Sequence, residues 1–167
     1  MTMGTPEYAI GAELLHREAQ LLDDRQWTDW LSLYADDAQF WIPAWIDEHR
    51  LTDDPDRQVS MMYMNSKRQL AERVSRATSR KTVTAMPLPR TMHMIANIQL
   101  GRAGPDRIEL RANGTITSHH PRTATTHVIA ARYSYALRLV AGEWLIASKK
   151  TIILNDRLPG MVDFYSI

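Results

Sequence analysis

The chain has 167 residues, no cysteine, and 20 basic against 19 acidic side chains, with 44% hydrophobic and 23% charged residues. That length suits one domain, residues 1–167, long enough to bury roughly 70% of its unfolded surface without disulfides or metals. The near-neutral charge offers no field to gather nucleic acid or an anionic membrane, and the lack of cysteine excludes a disulfide framework, thiolate-ligated zinc, iron–sulfur ligation by this chain and a cysteine nucleophile. Met1 to Tyr8 lack the basic and apolar regions of a secretory signal, and no run reaches the roughly 20 apolar residues that span a bilayer, so the sequence reads as cytoplasmic.

Thr5-Pro6-Glu7 has the form of an N-cap, a first-turn proline and an acid at the positive helix end, and Ala12, Leu15, Ala19 and Leu22 follow at helical spacing. Trp27, Trp30, Leu31 and Tyr34 fall at i, i+3, i+4 and i+7 and predict a second helix, ended by Asp36 and Asp37. Gln39 to Ile42 then switches to aromatic and β-branched residues stopped by Pro43, a short strand entering a loop whose polar stretch is Leu51 to Pro55. Ser66 with Gln69 has the form of a capping box, and Leu70 with Val74 supplies the buried stripe of a third helix whose other faces carry Lys67, Arg68, Arg73 and Arg76. Beyond Pro87 and Pro89, Met92, Met94, Ala96, Ile98 and Leu100 alternate with His93, Asn97 and Gln99, predicting a half-buried strand with the methionines on its apolar side. Gly101 to Asp106 turns the chain, after which Ile108, Leu110, Ala112 and Ile116 alternate likewise. Thr123 to Val140 continues in β-prone runs, and Ala141-Gly142-Glu143 links tightly to a last strand from Trp144 to Leu154.

Three helices ahead of a long antiparallel meander predict an α+β fold in which a bent antiparallel sheet wraps against helices. The cone of nuclear transport factor 2 is the expected architecture. No internal repeat, low-complexity segment or linker rich in Pro, Gly or Ser divides the chain.

Candidate chemistry is sparse. None of the histidines, His16, His49, His93, His119, His120 and His127, pairs at the i, i+3 or i, i+4 spacing that puts two imidazoles on one helical face for a metal. His119 and His120 are adjacent, so a strand sends them to opposite faces. His93, expected mid-sheet, has a catalytic reading in which Asp36 or Asp37 completes an acid/base pair and Tyr34 or Tyr63 donates to an oxyanion. The structural reading outweighs it: flanked by Met92 and Met94, His93 faces away from their apolar side and binds a backbone carbonyl, a loop or another subunit. Asp36 and Asp37 likewise read first as helix-terminating residues bonding nearby amides. Lys149 and Lys150 sit in a strand that sends them to opposite faces, so one must find an acid, an edge or a partner surface. Trp41, Trp45, Tyr63, Arg73, Arg76, Arg90, His93, Lys149 and Lys150 are the candidate interface residues, by chemical type and by the resemblance that follows. The five tryptophans and nine methionines are mainly core by default.

Ordered segments along nearly the whole chain resemble the small (beta) subunits of bacterial aromatic-ring-hydroxylating dioxygenases. They are Glu18-Ala19 with Leu21-Leu22-Asp23, Trp30 to Tyr34, Ser60 to Tyr63, Arg73-Val74 with Arg76, Pro89-Arg90-Thr91 with His93 and Asn97, and Lys149-Lys150 through Leu154-Asn155-Asp156 to Asp163-Phe164-Tyr165-Ser166-Ile167. Phe40-Trp41-Ile42-Pro43-Ala44-Trp45, with Leu51-Thr52 and Asp54-Pro55, looks most like the benzoate, toluate and anthranilate branch. The resemblance implies a nuclear transport factor 2-like fold and a noncatalytic role beside a catalytic alpha subunit, usually as three alpha and three beta chains with beta–beta contacts. It also implies that the Rieske [2Fe–2S] cluster and mononuclear Fe(II) lie on the alpha subunit, supplied with electrons from NADH through a reductase. Two features depart from the family pattern: the tight Ala141-Gly142-Glu143-Trp144 link and His119-His120-Pro121.

The leading expectation is therefore a structural subunit of a multicomponent oxygenase acting on a small aromatic acid, with no cofactor or metal of its own. The alternative is a stand-alone dehydratase or isomerase of the same fold using His93 and Asp37 as general acid and base. A third, a ligand-binding module, requires a large open apolar cavity.

Overall fold

The computed structural model describes residues 4–79, 87–158, 160 and 162–167; Met1–Met3, part of the leader reading, lie outside them. Helix α1 (Pro6–Asp23) starts as its sequence predicts, with the Thr5 side chain accepting the Tyr8 amide at 3.3 Å and Pro6 in the first turn. Its buried stripe holds Leu15, Ala19 and Leu22, and also Gly11 and Glu18. A Cβ at Gly11 would stand 2.4 Å from the Leu110 side chain, so glycine lets the helix approach the sheet this closely.

Helix α2 (Trp27–Ser32) is shorter than the aromatic spacing predicts. Tyr34 belongs instead to strand β1 (Tyr34–Pro43), and Asp36 and Asp37 lie inside that strand rather than ending the helix. The i, i+7 spacing of Trp27 and Tyr34 fits a helix, but pairing of Tyr34 with Ile146 holds it in the sheet. Both aspartates are exposed at an irregularity of that pairing between Tyr34 and Gln39, which hides the period-two signal of the strand. Strand β2 (Ser60–Met64), absent from the sequence expectation, pairs antiparallel with β1. Helix α3 (Lys67–Thr78) buries Leu70 and Val74 as expected, but Ser66 makes no side-chain cap bond. Gln69 instead accepts the Asn65 amide at 2.9 Å, so half of the capping box forms, one residue early.

Strands β3 (Arg90–Ala103), β4 (Arg107–His120), β5 (Thr125–Val140) and β6 (Glu143–Ile153) form the expected antiparallel meander. Ala141 and Gly142, at φ 51° and 87°, make the two-residue turn between β5 and β6. The six strands lie in the order β2-β1-β6-β5-β4-β3, and β1 runs parallel to β6. A wholly antiparallel sheet is thus corrected: β1 enters from the helical segment and joins the last strand of the meander.

The helices pack on the inner face, where Trp30, Tyr34, Phe40, Leu110, Leu137 and Ile146 are buried. The C-terminal 3₁₀ turn (Phe164–Ser166) joins them: Asp163 and Ser166 cap it reciprocally, and Phe164 and Ile167 are fully buried. Phe164 stacks on Trp30 with ring centres 5.0 Å apart and meets Trp27 edge-on at 5.3 Å.

Strand β3 reverses the face expected of it. Met92 and Met94 are 52% and 59% exposed on the outer face, while the His93 side chain is 2% exposed on the inner face. Asn97, at φ 52°, lies where the β3–β4 register slips between Ala96 and Gln99. That extra residue changes the strand's parity, so Thr91, His93 and Ile95 face inward before it and Ile98 and Leu100 after it. Asn97→Val, which places a β-branched residue at positive φ, is expected to lower unfolding free energy by about 1–2 kcal/mol. Asn97→Gly should stay near wild type; urea unfolding of both variants checks this.

Candidate functional site

The register that aligns Met64, Phe40, Lys149, Tyr135, Leu110 and Leu100 across the sheet places Lys149 in an inward-facing row. Opposite it, one turn from Leu15 and Leu22 on α1, stands Glu18, 2% exposed. Four donors from four elements converge on this carboxylate. Trp30 Nε1 of α2 donates at 3.2 Å, the Tyr34 hydroxyl of β1 makes a short bond, the Tyr135 hydroxyl of β5 donates at 2.7 Å and Lys149 Nζ of β6 at 3.0 Å. Lys149 Nζ also donates to the Ile167 carbonyl at 3.4 Å and lies 5.2–5.6 Å from the ring centres of Tyr133, Phe40 and Tyr135.

Burial by itself would raise the Glu18 carboxyl, but the Lys149 ammonium and the hydrogen bonds from Tyr34, Tyr135 and Lys149 hold it below the usual carboxylate range. The same burial and the Glu18 charge push the Tyr34 and Tyr135 phenols well up. An ionised carboxylate and an ammonium thus neutralise one another inside the cone, and the phenols serve as donors. The Tyr133 hydroxyl and Thr151 Oγ1, cross-strand neighbours on the same face, have no protein partner among the described residues. Sequence reasoning missed Glu18 as a site residue. Its signal was an acid in the middle of an apolar helical stripe, and Lys149 required an acid on its own face.

A second polar cluster joins the end of α1 to the start of β3. Asp23 Oδ1 lies 2.6 Å from His93 Nδ1 and accepts from Thr91 Oγ1 at 3.0 Å, while Asp23 Oδ2 accepts the His93 amide at 2.8 Å. Burial would raise the Asp23 carboxyl, but the His93 and Thr91 hydrogen bonds and the His93 charge lower it on balance. Beside it Arg25 donates to the Leu88 and Pro89 carbonyls, 3.2 and 3.0 Å away. Asp37, the carboxylate expected to pair with His93, instead bonds Arg138 on the surface, with its side chain 67% exposed. The expected pairing of His93 with Asp37 is therefore corrected to His93 with Asp23. Helix α1 carries Asp23 to the strand, whereas an outward position in β1 turns Asp37 to solvent. His93 Nε2 is buried without a protein partner.

The nine candidate interface residues divide by face. Lys149 and His93 are sealed inside this chain and are corrected from surface to internal residues, because the sheet register and the β3 bulge turn both inward. Arg73 is half-buried and bonds Asp163 at 3.0 Å, tying α3 to the C-terminal turn, while Arg76 and Arg90 are exposed. Trp41, Tyr63 and Lys150 share the outer face: Trp41 and Tyr63 are cross-strand neighbours, and Lys150 Nζ stands 4.3 Å from the Trp41 ring centre. Burial and the nearby Asp56 and Asp54 charges raise the Tyr63 phenol. Trp45 is 40% exposed, with its Nε1 donating to the Ile153 carbonyl at 2.7 Å.

This arrangement of a curved sheet around a filled polar core has known relatives. The family profile described as ring hydroxylating beta subunit matches residues 17–160. The chain belongs to that family. The toluate 1,2-dioxygenase subunit beta of Pseudomonas putida is 33% identical to it, over 98% of this chain and 99% of the relative. The 2-halobenzoate 1,2-dioxygenase small subunit of Burkholderia cepacia is 34% identical over the full length of both. The crystal structure of the beta subunit of the benzoate 1,2-dioxygenase from Burkholderia mallei superposes with a TM-score of 0.80 at 31% identity, covering 99% of this chain and 100% of that one. A hexachlorocyclohexane dehydrochlorinase, 15% identical with a TM-score of 0.64, shares the fold alone. The nuclear transport factor 2-like architecture is borne out, with β1 and β2 added beside the meander.

The donor set of this ring-hydroxylating beta subunit does not suit iron. The sequence has no thiolate, and among the described residues no group of three or more His, Asp or Glu side chains could hold a metal ion. Glu18, the most buried carboxylate, is already saturated by four donors.

Two outcomes follow for the polar core. Lys149→Met, which leaves the Glu18 charge buried without its counter-ion, is expected to cost about 3–5 kcal/mol, read as a lowered denaturant midpoint. For pH, the folded values of Glu18 and Asp23 lie below their ordinary values of 4.5 and 3.8. Their contribution is fully present above those ordinary values and is lost as pH falls through the depressed folded values. Thermal melts from pH 6 downward should show a loss of stability that is smaller in Asp23→Asn.

Proposed function

We propose that this chain is the noncatalytic structural subunit of a multicomponent Rieske non-haem iron dioxygenase hydroxylating a small aromatic acid of the benzoate or anthranilate type. In this reading it stabilises a cytoplasmic assembly of three catalytic alpha and three beta chains, with beta–beta contacts. The Rieske [2Fe–2S] cluster and the mononuclear Fe(II) belong to the alpha subunit, and electrons arrive from NADH through a reductase. The observation that carries the proposal is the family match along residues 17–160 together with a cone interior occupied by the chain's own Glu18 network. A catalytic cone needs room for a substrate beside its acid and base. Here Trp30, Tyr34, Phe40 and Phe164 occupy that interior with no more than 0% exposure each.

Purification from the native host under gentle conditions tests the reading. A large partner band with iron and a Rieske visible spectrum is expected, and the isolated chain should be colourless and without turnover. Turnover of a substrate by the isolated chain would sink the proposal.

The dehydratase or isomerase reading retains one favourable observation, the 2.6 Å contact between His93 and Asp23, which resembles the orienting half of a catalytic dyad. Against it stands the near-complete burial of the imidazole. His93→Ala separates the two. As a structural residue its loss lowers stability by about 1–3 kcal/mol and leaves turnover per Rieske centre unchanged in the assembled complex.

A further inference from the structure

The outer face of the sheet carries a charged groove, whose lining also takes in the sheet positions Tyr135 and Lys149 that bond Glu18 on the inner side. It is open, about 790 Å³ in volume, and its lining includes Trp41, Arg102, Arg107, Glu109, Arg111 and Lys150. Arg107 pairs with Glu109 at 3.1 Å. Among the described residues Arg102, Arg111 and Lys150 have no acidic partner, so the groove presents three uncompensated cations on a chain whose overall charge is only +1. Such a concentration of one sign in a concave surface draws an anionic partner and penalises a cationic one.

The complementary charge lies elsewhere on the same chain, in the loop joining β1 to β2, residues 44–59. It contains Asp47, Glu48, Asp53, Asp54 and Asp56 against Arg50 and Arg57. Asp47 pairs with Arg50 and Asp54 with Arg57, which leaves Glu48, Asp53 and Asp56 without a cationic partner among the described residues. The loop is built rather than slack. The Asp47 carboxylate accepts the His49 and Arg50 amides at 2.9 Å each, and the Gln58 side chain accepts the Asp53 and Asp54 amides at 2.7 and 3.0 Å. A loop held in shape before contact loses less conformational entropy on docking. It also presents Ile46 at 51% and Val59 at 79% exposure, apolar groups beside the acids. No hydrogen bond or ion pair among the described residues links this loop to the groove of its own chain, so the two surfaces are both available.

We propose that the acidic 44–59 loop of one copy of this chain docks in the Arg102–Arg111–Lys150 groove of a second copy. The contact is heterologous: loop meets groove, not loop with loop, so association runs head to tail and closes where the rotation between copies allows a ring. This deepens the subunit reading, on which it rests, by naming the surfaces through which small subunits meet.

The test uses the full chain and three charge-reversed forms, Arg102→Glu/Arg111→Glu in the groove, Asp53→Lys/Asp56→Lys in the loop, and all four together. Among the described residues none of these four side chains makes a hydrogen bond or ion pair, and circular dichroism checks that each form is folded. Native mass is measured against protein and salt concentration. The wild-type chain is expected to associate beyond a dimer at low salt and to weaken as salt rises. Each two-site reversal should weaken association at least about tenfold, because like charges then oppose one another. The four-site form should restore it. Mixing the groove-reversed with the loop-reversed chain is the decisive arm: the acidic loop of the first matches the basic groove of the second and the reversed loop of the second matches the reversed groove of the first, so association is restored in the mixture, with the two forms alternating. A wild-type chain that stays monomeric, reversals that associate as wild type does, or a mixture that does not pair would each overturn the proposal. Capture of the iron-bearing partner from the native host is scored separately, so a failure of the subunit reading is distinguishable from a failure of this contact.

Discussion

A carboxylate buried in a protein interior has to be compensated where it stands, and in this chain Glu18 sets that requirement for everything around it. An isolated charge in a low-dielectric core costs several kcal/mol, so the helix that brings Glu18 inward is stable there only if donors arrive from elsewhere. They arrive from α2, β1, β5 and β6, through Trp30, Tyr34, Tyr135 and Lys149. Elements far apart in sequence are thereby fixed against one another at a single point. The parallel docking of β1 on β6 brings Phe40 beside Lys149, and the C-terminal turn closes over the cluster with the Ile167 carbonyl accepting from the same ammonium.

That core explains the division of labour between the two faces of the sheet. The inner face is spent on the Glu18 cluster, the aromatic stack of Trp27, Trp30 and Phe164, and the Asp23 to His93 clasp. The outer face holds what remains accessible: Met92, Met94 and Val128 exposed at one end and the cationic groove at the other. The interior is occupied by the chain's own aromatic and charged groups, while exposed apolar and cationic side chains gather on the outer face. This is the arrangement expected of a subunit whose work is holding partners.

Individual elements show how far the pattern of residues reaches. The Thr5-Pro6-Glu7 start, the Leu70 and Val74 stripe and the Ala141-Gly142 hairpin are local devices, each legible because neighbouring residues alone satisfy it. Strand β1 was partly hidden because Tyr34 satisfies a helical spacing as well as a strand partner, and Asp36 and Asp37 fall at an irregular register. In strand β3 the buried face is the one that carries His93, opposite to the methionine face that the alternation suggests. Alternation identifies a strand but not which side is buried when both sides carry apolar or bondable groups, and a single bulge at Asn97 changes the parity partway along. A lysine at an inward strand position requires an acid on its own face, which the Lys149-Lys150 pair makes legible; that the acid is Glu18 needed the register of two strands and the rotation of a helix.

The sequence by itself determined the α+β class, the three helices, the antiparallel run from β3 to β6 and, through ordered segments such as Trp30 to Tyr34 and Lys149 to Asp156, the family. These rest on periodicity, caps and turns, which act over a few residues, or on residue order along the chain. Only the tertiary structure decided which face each strand buries, that Asp23 rather than Asp37 meets His93, that β1 joins β6 in parallel, and that Glu18 and Lys149 neutralise each other. Those outcomes depend on contacts between residues 70 to 131 positions apart. Their energies depend on burial, and burial exists only once the chain has closed on itself.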